Sequence, residues 1–234
     1  MMLSVKDGLA ADTSSPRSQT TVAYEAIRSD ILNGRHIPEK RLKIQELVEE
    51  LGVSPGAVRE ALSRLVPEAL VVSRDQRGFV VAPLSVSDLQ DLTDVRCEIE
   101  TLALRRSLAR GDENWEANII AAEHRLRSKT AATGGQDQRL KWTRNHAAFH
   151  AALISACESP RLLALHAQLY EQSERYRQLT FDLESDRNVD VEHRKIVEIA
   201  LKRDADGLVG AMVKHLRKTT ELIVEAFGQN TKGD

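Results

Sequence analysis

The stretch Leu51-Gly52-Val53-Ser54-Pro55-Gly56-Ala57-Val58-Arg59-Glu60-Ala61-Leu62-Ser63-Arg64-Leu65 decides the fold. Gly52 ends one helix, because a left-handed backbone costs glycine little. Ser54 carries the hydroxyl of an N-cap, and Pro55 suits the first turn of a new helix, where a missing N–H is no loss. Val58, Ala61, Leu62 and Leu65 then recur at three- and four-residue steps, so the new helix turns one face inward. The sharp Leu51-Gly52-Val53 turn between two helices is the joint of a helix-turn-helix.

Working outward, residues 44–51 set Leu47, Val48 and Leu51 on one face of the preceding helix. Upstream, Val22, Ala23, Ala26, Ile27, Ile31 and Leu32 mark another, capped by Thr20 or Thr21 and stopped by Asn33-Gly34. Downstream, Leu70-Val71-Val72-Ser73 and Phe79-Val80-Val81 flank the polar turn at 74–78, a two-stranded hairpin. Three helices plus a two-stranded wing give a winged helix-turn-helix over residues 19–83, behind a flexible tail at 1–18. Such helix pairs read DNA, and they also occur as plain packing units. Pro83-Leu84 marks a boundary. Beyond it the periods predict helices at 86–110, 113–131, 137–157, 160–183, 189–202 and 205–227. The chain is therefore mainly α, its residues 84–230 forming an antiparallel all-α bundle of about six helices.

Composition agrees. Of 234 residues 41% are hydrophobic but only 4% aromatic, so the core rests on Leu, Ala, Val and Ile, as in helical packing. Cys97 and Cys157 stand far apart with no CxxC pair, which argues against a disulfide framework or a thiolate zinc site. No apolar run of ~18 residues offers a membrane span and no signal sequence opens the chain, so the expected location is cytoplasmic. A net charge of −2 gives no support to nucleic-acid binding, which must rest on where individual arginines sit.

At this point the chain resembles the GntR family of bacterial transcription regulators, in the FadR-type branch with an FCD effector domain. The resemblance runs from Thr20 to Phe227. Leu51-Gly52-Val53-Ser54 followed by Val58–Leu65 matches the family's recognition helix, and Arg77-Gly78-Phe79-Val80-Val81 its wing. Asp94-Val95-Arg96 with Glu98 and Glu100, then Phe149-His150, Glu192-His193-Arg194-Lys195-Ile196 and His215-Leu216, match the motifs of the effector domain. The implied protein is no enzyme but a repressor that binds a palindromic double-stranded DNA operator as a homodimer. Ser54 can meet a phosphate, Arg59 a guanine, Arg64 the backbone or solvent, and Arg77 with Gly78 the minor groove. One departure stands out. Where the family has an Arg after the Ser and another in the preceding helix, this chain has Pro55 and Gln45, so operator sequences do not carry over.

The histidines carry the second expectation. His146 and His150 are four apart and project from one helix face; His193 and His215 come from later helices. Each alone is an ordinary half-buried histidine or a metal ligand. The resemblance implies a divalent ion held by His150, His193 and His215, with His146 at the position of the family's Asp. An all-nitrogen set favours Zn²⁺ or Ni²⁺ over Mn²⁺; alternatively His146 turns away and water takes the place. The implied effector is a small organic acid that chelates the ion while an arginine takes its other end: Arg96 first, then Arg144 and Arg175. Arg96 can equally make a salt bridge with Glu100 on its own helix. Competing readings are a metal-dependent hydrolase, which lacks a base placed as in HExxH, and a DNA binder whose metal site is only structural.

Overall fold

The computed structural model describes residues 17–74, 78–127, 135–178 and 187–230. Arg77, residues 1–16 of the expected tail, and residues 128–131 and 179–183 of two expected helices lie outside these.

The N-terminal part begins with α1 (Gln19–Leu32), capped by Ser18, whose side chain accepts from the Thr21 N–H; the cap sits ahead of the two threonines. The strand β1 (Arg41–Leu42) and helices α2 (Ile44–Leu51) and α3 (Pro55–Leu65) follow. Gly52 closes α2 at φ 64° and its N–H returns to the Val48 carbonyl. Ser54 accepts from the Ala57 N–H at the head of α3, with Pro55 in the first turn. The hairpin consists of β2 (Val71–Arg74) and β3 (Gly78–Val81), antiparallel, with Val72 opposite Val80.

The sheet has three strands, in the order β1-β3-β2, where the sequence predicts two. Arg41 pairs with Val80, and the Val81 N–H donates to the Lys40 carbonyl. A two-residue strand has no period of its own; Glu39 at φ 63° turns the chain onto the free edge of β3. Beneath the sheet, Ile27 of α1, Leu47 of α2 and Val58, Leu62 and Leu65 of α3 share one core with Val71 and Val81.

Among the described residues six helices follow: α4 (Val86–Arg110), α5 (Glu113–Arg127), α6 (Gln136–Ile154), α7 (Pro160–Arg177), α8 (Val189–Leu201) and α9 (Ala205–Asn230). Ser85, Ser159 and Asn188 cap α4, α7 and α8. The last turn expected of α6 tightens into a 3₁₀ turn, Ser155–Cys157. Their core includes Leu104, Ile119, Phe149, Leu153, Ile196 and Met212. Both cysteines are buried and unpaired. Among the described residues no helix is long and apolar enough to cross a membrane.

Helix α7 joins the two parts. On one face Arg175 donates to the Ala69 and Ala82 carbonyls, at 3.2 and 2.8 Å, and Gln172 to the Glu68 carbonyl at 2.9 Å. Glu171 pairs with Arg28 of α1, and Gln178, just past the helix, donates to the Leu32 carbonyl.

Candidate functional site

Arg59 and Arg64 are both exposed on α3, but five residues apart they point ~140° from one another round the axis. Among the described residues Arg59 has no side-chain partner: Glu60 accepts from Thr20, and the Ser63 hydroxyl donates to the Arg59 carbonyl. Arg64 instead lies over the Tyr24 ring, 4.4 Å from its centroid, against α1. Gly78 opens β3 at φ 75°, a conformation that excludes most side chains.

The histidines converge. His146 and His150 from α6, His193 from α8 and His215 from α9 are each at most 5% exposed. One ring nitrogen of each lies within 4.8 Å of the others, so the four could hold a metal ion. The Nε2 atoms of His146 and His150 are 3.2 Å apart, close to the ~3.3 Å edge of a tetrahedron with Zn–N bonds of ~2.0–2.1 Å. His193 has no partner for either ring nitrogen, and His150 none for Nδ1. A buried polar atom without a partner costs about 1–3 kcal/mol, a cost that coordination of an ion by His193 would offset.

Burial drives all four imidazoles towards the neutral form, which is the one that donates to a metal. His146 and His150 fall well below the ordinary histidine value, burial first and neighbouring cations second. His193 is pushed down to about 2 for the same reasons. His215 falls by burial although its hydrogen bond with Glu192 works the other way. The cluster opens on a cavity of about 30 Å³, room for an ion with a water or two.

Arg96 faces this cavity from α4 and makes the salt bridge with Glu100, 3.2 Å, while its Nε has no partner. The carboxylate and the cavity thus share one guanidinium. The other two arginines expected here are elsewhere: Arg144 is exposed on the far side of α6, and Arg175 is spent on the Ala69 and Ala82 carbonyls. In their place α7 offers Arg177, which lines the cavity, pairs with Glu174 and lies 4.6 Å from the Trp142 ring centroid. Trp142 in turn stacks on His146. The overlooked signal is the polar set Tyr170, Ser173, Glu174 and Arg177, recurring at three- and four-residue steps on an inward face. Of the remaining histidines, His166 is buried against Glu100, His36 is buried beside Lys40 and His124 is exposed.

Comparison with known proteins places this geometry. Residues 19–81 match the bacterial regulatory proteins of the gntR family, and residues 91–218 match the FCD domain. The chain is 39% identical over 215 residues to the HTH-type transcriptional regulator BphR of Paraburkholderia xenovorans (strain LB400), covering 91% of this chain and 87% of that one. It is 30% identical over 212 residues to the HTH-type transcriptional repressor GlaR of Escherichia coli (strain K12), covering 88% and 96%. The solved structure of E. coli McbR/YncC superposes with a TM-score of 0.74 over 91% of this chain and all of that one; at 18% identity it speaks for the fold alone. These relatives are DNA-binding regulators and not enzymes. The chain belongs to the GntR family of bacterial transcriptional regulators, with a winged helix-turn-helix followed by an FCD domain.

Proposed function

We propose that the protein is a metabolite-responsive repressor that binds a palindromic operator as a homodimer and releases it when a small organic acid enters the histidine-lined cavity. His193 carries the metal reading: two buried nitrogens without partners, in a cluster with three further imidazoles, fit a resident divalent ion. His146, His150, His193 and His215 would hold it, and their all-nitrogen set favours Zn²⁺, with Ni²⁺ next. The bound ion supplies a Lewis acid for an effector carboxylate. Arg96 and Arg177 take the remaining charge of the acid, Arg96 by sharing the guanidinium that now serves Glu100. On the DNA side, Ser54, Arg59, Arg64, Arg77 and Gly78 are the contact set, Arg59 reading a base edge and Arg64 staying near the backbone.

A cavity of about 30 Å³ cannot admit an organic acid without widening. The wall that carries this movement is α7, because Ser173, Glu174 and Arg177 line the cavity while Glu171, Gln172 and Arg175 grip the DNA-binding part. A packed helix with two working faces, rather than the boundary at residues 83–84, is then what carries the movement. Two protomers whose winged domains shift with α7 lose the spacing that matches two half-sites.

The test combines metal analysis of the purified protein with a thermal-shift screen of small organic acids. A true effector at a hundred times its Kd stabilises by about 2.7 kcal/mol, which raises the melting temperature by roughly 5–11 °C in a chain of this size. The same acid should weaken operator binding in a fluorescence-anisotropy titration. Stabilisation by an acid without any change in operator affinity would reduce the cavity to a structural site and end the sensor reading.

A further inference from the structure

Three of the four histidines have a carboxylate behind the ring nitrogen that faces away from the cluster, and an arginine holds each carboxylate. His215 Nδ1 lies 2.9 Å from Glu192, which Arg187 clasps at 2.6 Å. His146 Nδ1 lies 2.7 Å from the Tyr170 hydroxyl and 3.9 Å from Glu174; Tyr170 hydrogen-bonds to Glu174, and Arg177 pairs with the same carboxylate. His150 Nδ1 lies 4.0 Å from Glu100, within electrostatic reach but without a hydrogen bond; Glu100 accepts from Arg96 and His166. Glu100 and Glu174 are buried.

The pattern has an electrostatic consequence. A buried carboxylate behind Nδ1 draws the ring proton to that nitrogen and leaves Nε2 with its lone pair. The Nε2 atoms of His146 and His150 then face one another at 3.2 Å. Two lone pairs at that distance repel unless a cation lies between them. The competing arrangement, an Nε2–H of one ring donated to the other, leaves a bare Nδ1 lone pair on His150 facing Glu100, or a bare Nδ1 on His146 that turns the Tyr170 hydroxyl proton away from Glu174. Arg187 also approaches His215 Nδ1, at 3.1 Å, but its hydrogens have Glu192, Thr219 and the His215 carbonyl as acceptors.

We propose that Glu100, Glu174 and Glu192 are positioning residues that hold His150, His146 and His215 as Nδ1–H tautomers, so that three Nε2 lone pairs converge on a divalent cation. They return, one layer out, the negative charge that an inner set of four neutral imidazoles lacks. His193 has no such support. This inference rests on the metal reading above and assigns the tautomers that make that reading work. It also separates two duties: the carboxylates set the ligands, while Arg96 and Arg177, which hold two of them, face the cavity.

The experiment uses the full chain with ¹⁵N-labelled histidine, first free of metal and then titrated with Zn²⁺ against a competing chelator. Wild type should give Nδ1–H signatures for His146, His150 and His215. Glu192→Gln and Glu174→Gln should each weaken Zn²⁺ binding by roughly 10–100-fold and change the tautomer signature of their own histidine, His215 or His146, without altering the other. Glu192 lies partly exposed, so its variant remains testable if the Glu100→Gln chain does not fold. Tight Zn²⁺ binding by wild type with equally tight binding by both variants would overturn the positioning role alone, as would Nε2–H signatures. Failure of wild type to bind any divalent ion would overturn the metal reading and this inference with it.

Discussion

In the proposed function, operator reading turns on Arg59 and effector sensing on His193. Arg59 has no competing partner among the described residues, whereas Arg64 is engaged over Tyr24. Arg59→Ala should therefore weaken operator binding by about 1–3 kcal/mol, the worth of a bidentate base contact, and relax preference at one base pair. Arg64→Ala should weaken all sequences more evenly. Anisotropy titrations against the operator and single-base variants check both, and an equal, sequence-independent loss for Arg59 would reassign it to the phosphates. His193 makes an opposite kind of prediction. Its two partnerless nitrogens destabilise the metal-free protein, so His193→Leu, a change of similar volume, should melt higher than wild type in the presence of EDTA. The same variant should lose the stabilisation that Zn²⁺ gives wild type. A variant that melts lower than metal-free wild type would mean that the imidazole has found partners in the protein.

Among the elements, α7 differs most between what its sequence suggests and what it does. Its start and its Ser159 cap follow from local rules, but the division of labour between its faces does not. Arg175 reads as an effector-binding arginine until the fold sets the Ala69 and Ala82 carbonyls within its reach. Ala69 lies in the turn that follows α3 and Ala82 just past β3, both outside any strand or helix. Arg175→Ala should leave Zn²⁺ affinity within a factor of about three, yet cut the effect of effector on operator affinity by about 0.5–2 kcal/mol. Parallel metal and operator titrations with and without effector measure this, and unchanged coupling would show that the signal travels elsewhere. The strand β1 makes the same point more simply. Two residues cannot announce a strand; only the vacant edge of β3 makes them one.

In the whole molecule, one part is written in short-range signals and the other in long-range coincidence. Gly52, Ser54 and Pro55 specify the helix-turn-helix joint through backbone angles and caps that involve neighbours within four residues. The same economy holds for α4, whose expected span of 86–110 is the observed one, and for the four histidines, legible through family resemblance and spacing. The surroundings of those histidines are assembled from α4, α6, α7, α8 and α9, and no local rule links them. Glu100 stands 50 residues from His150, as Glu174 stands 28 from His146, and each meets its histidine only because the helices pack. The sequence by itself therefore determined the order of helices and the wing, since these depend on periodicity and local hydrogen bonding, while the four histidines stood out through the family resemblance. Only tertiary structure decided which arginines face the cavity, which grip the DNA-binding part and which carboxylates stand behind the imidazoles. The reason is physical: a charge buried in a low-dielectric core takes its role from whatever group packing brings within a few ångströms of it.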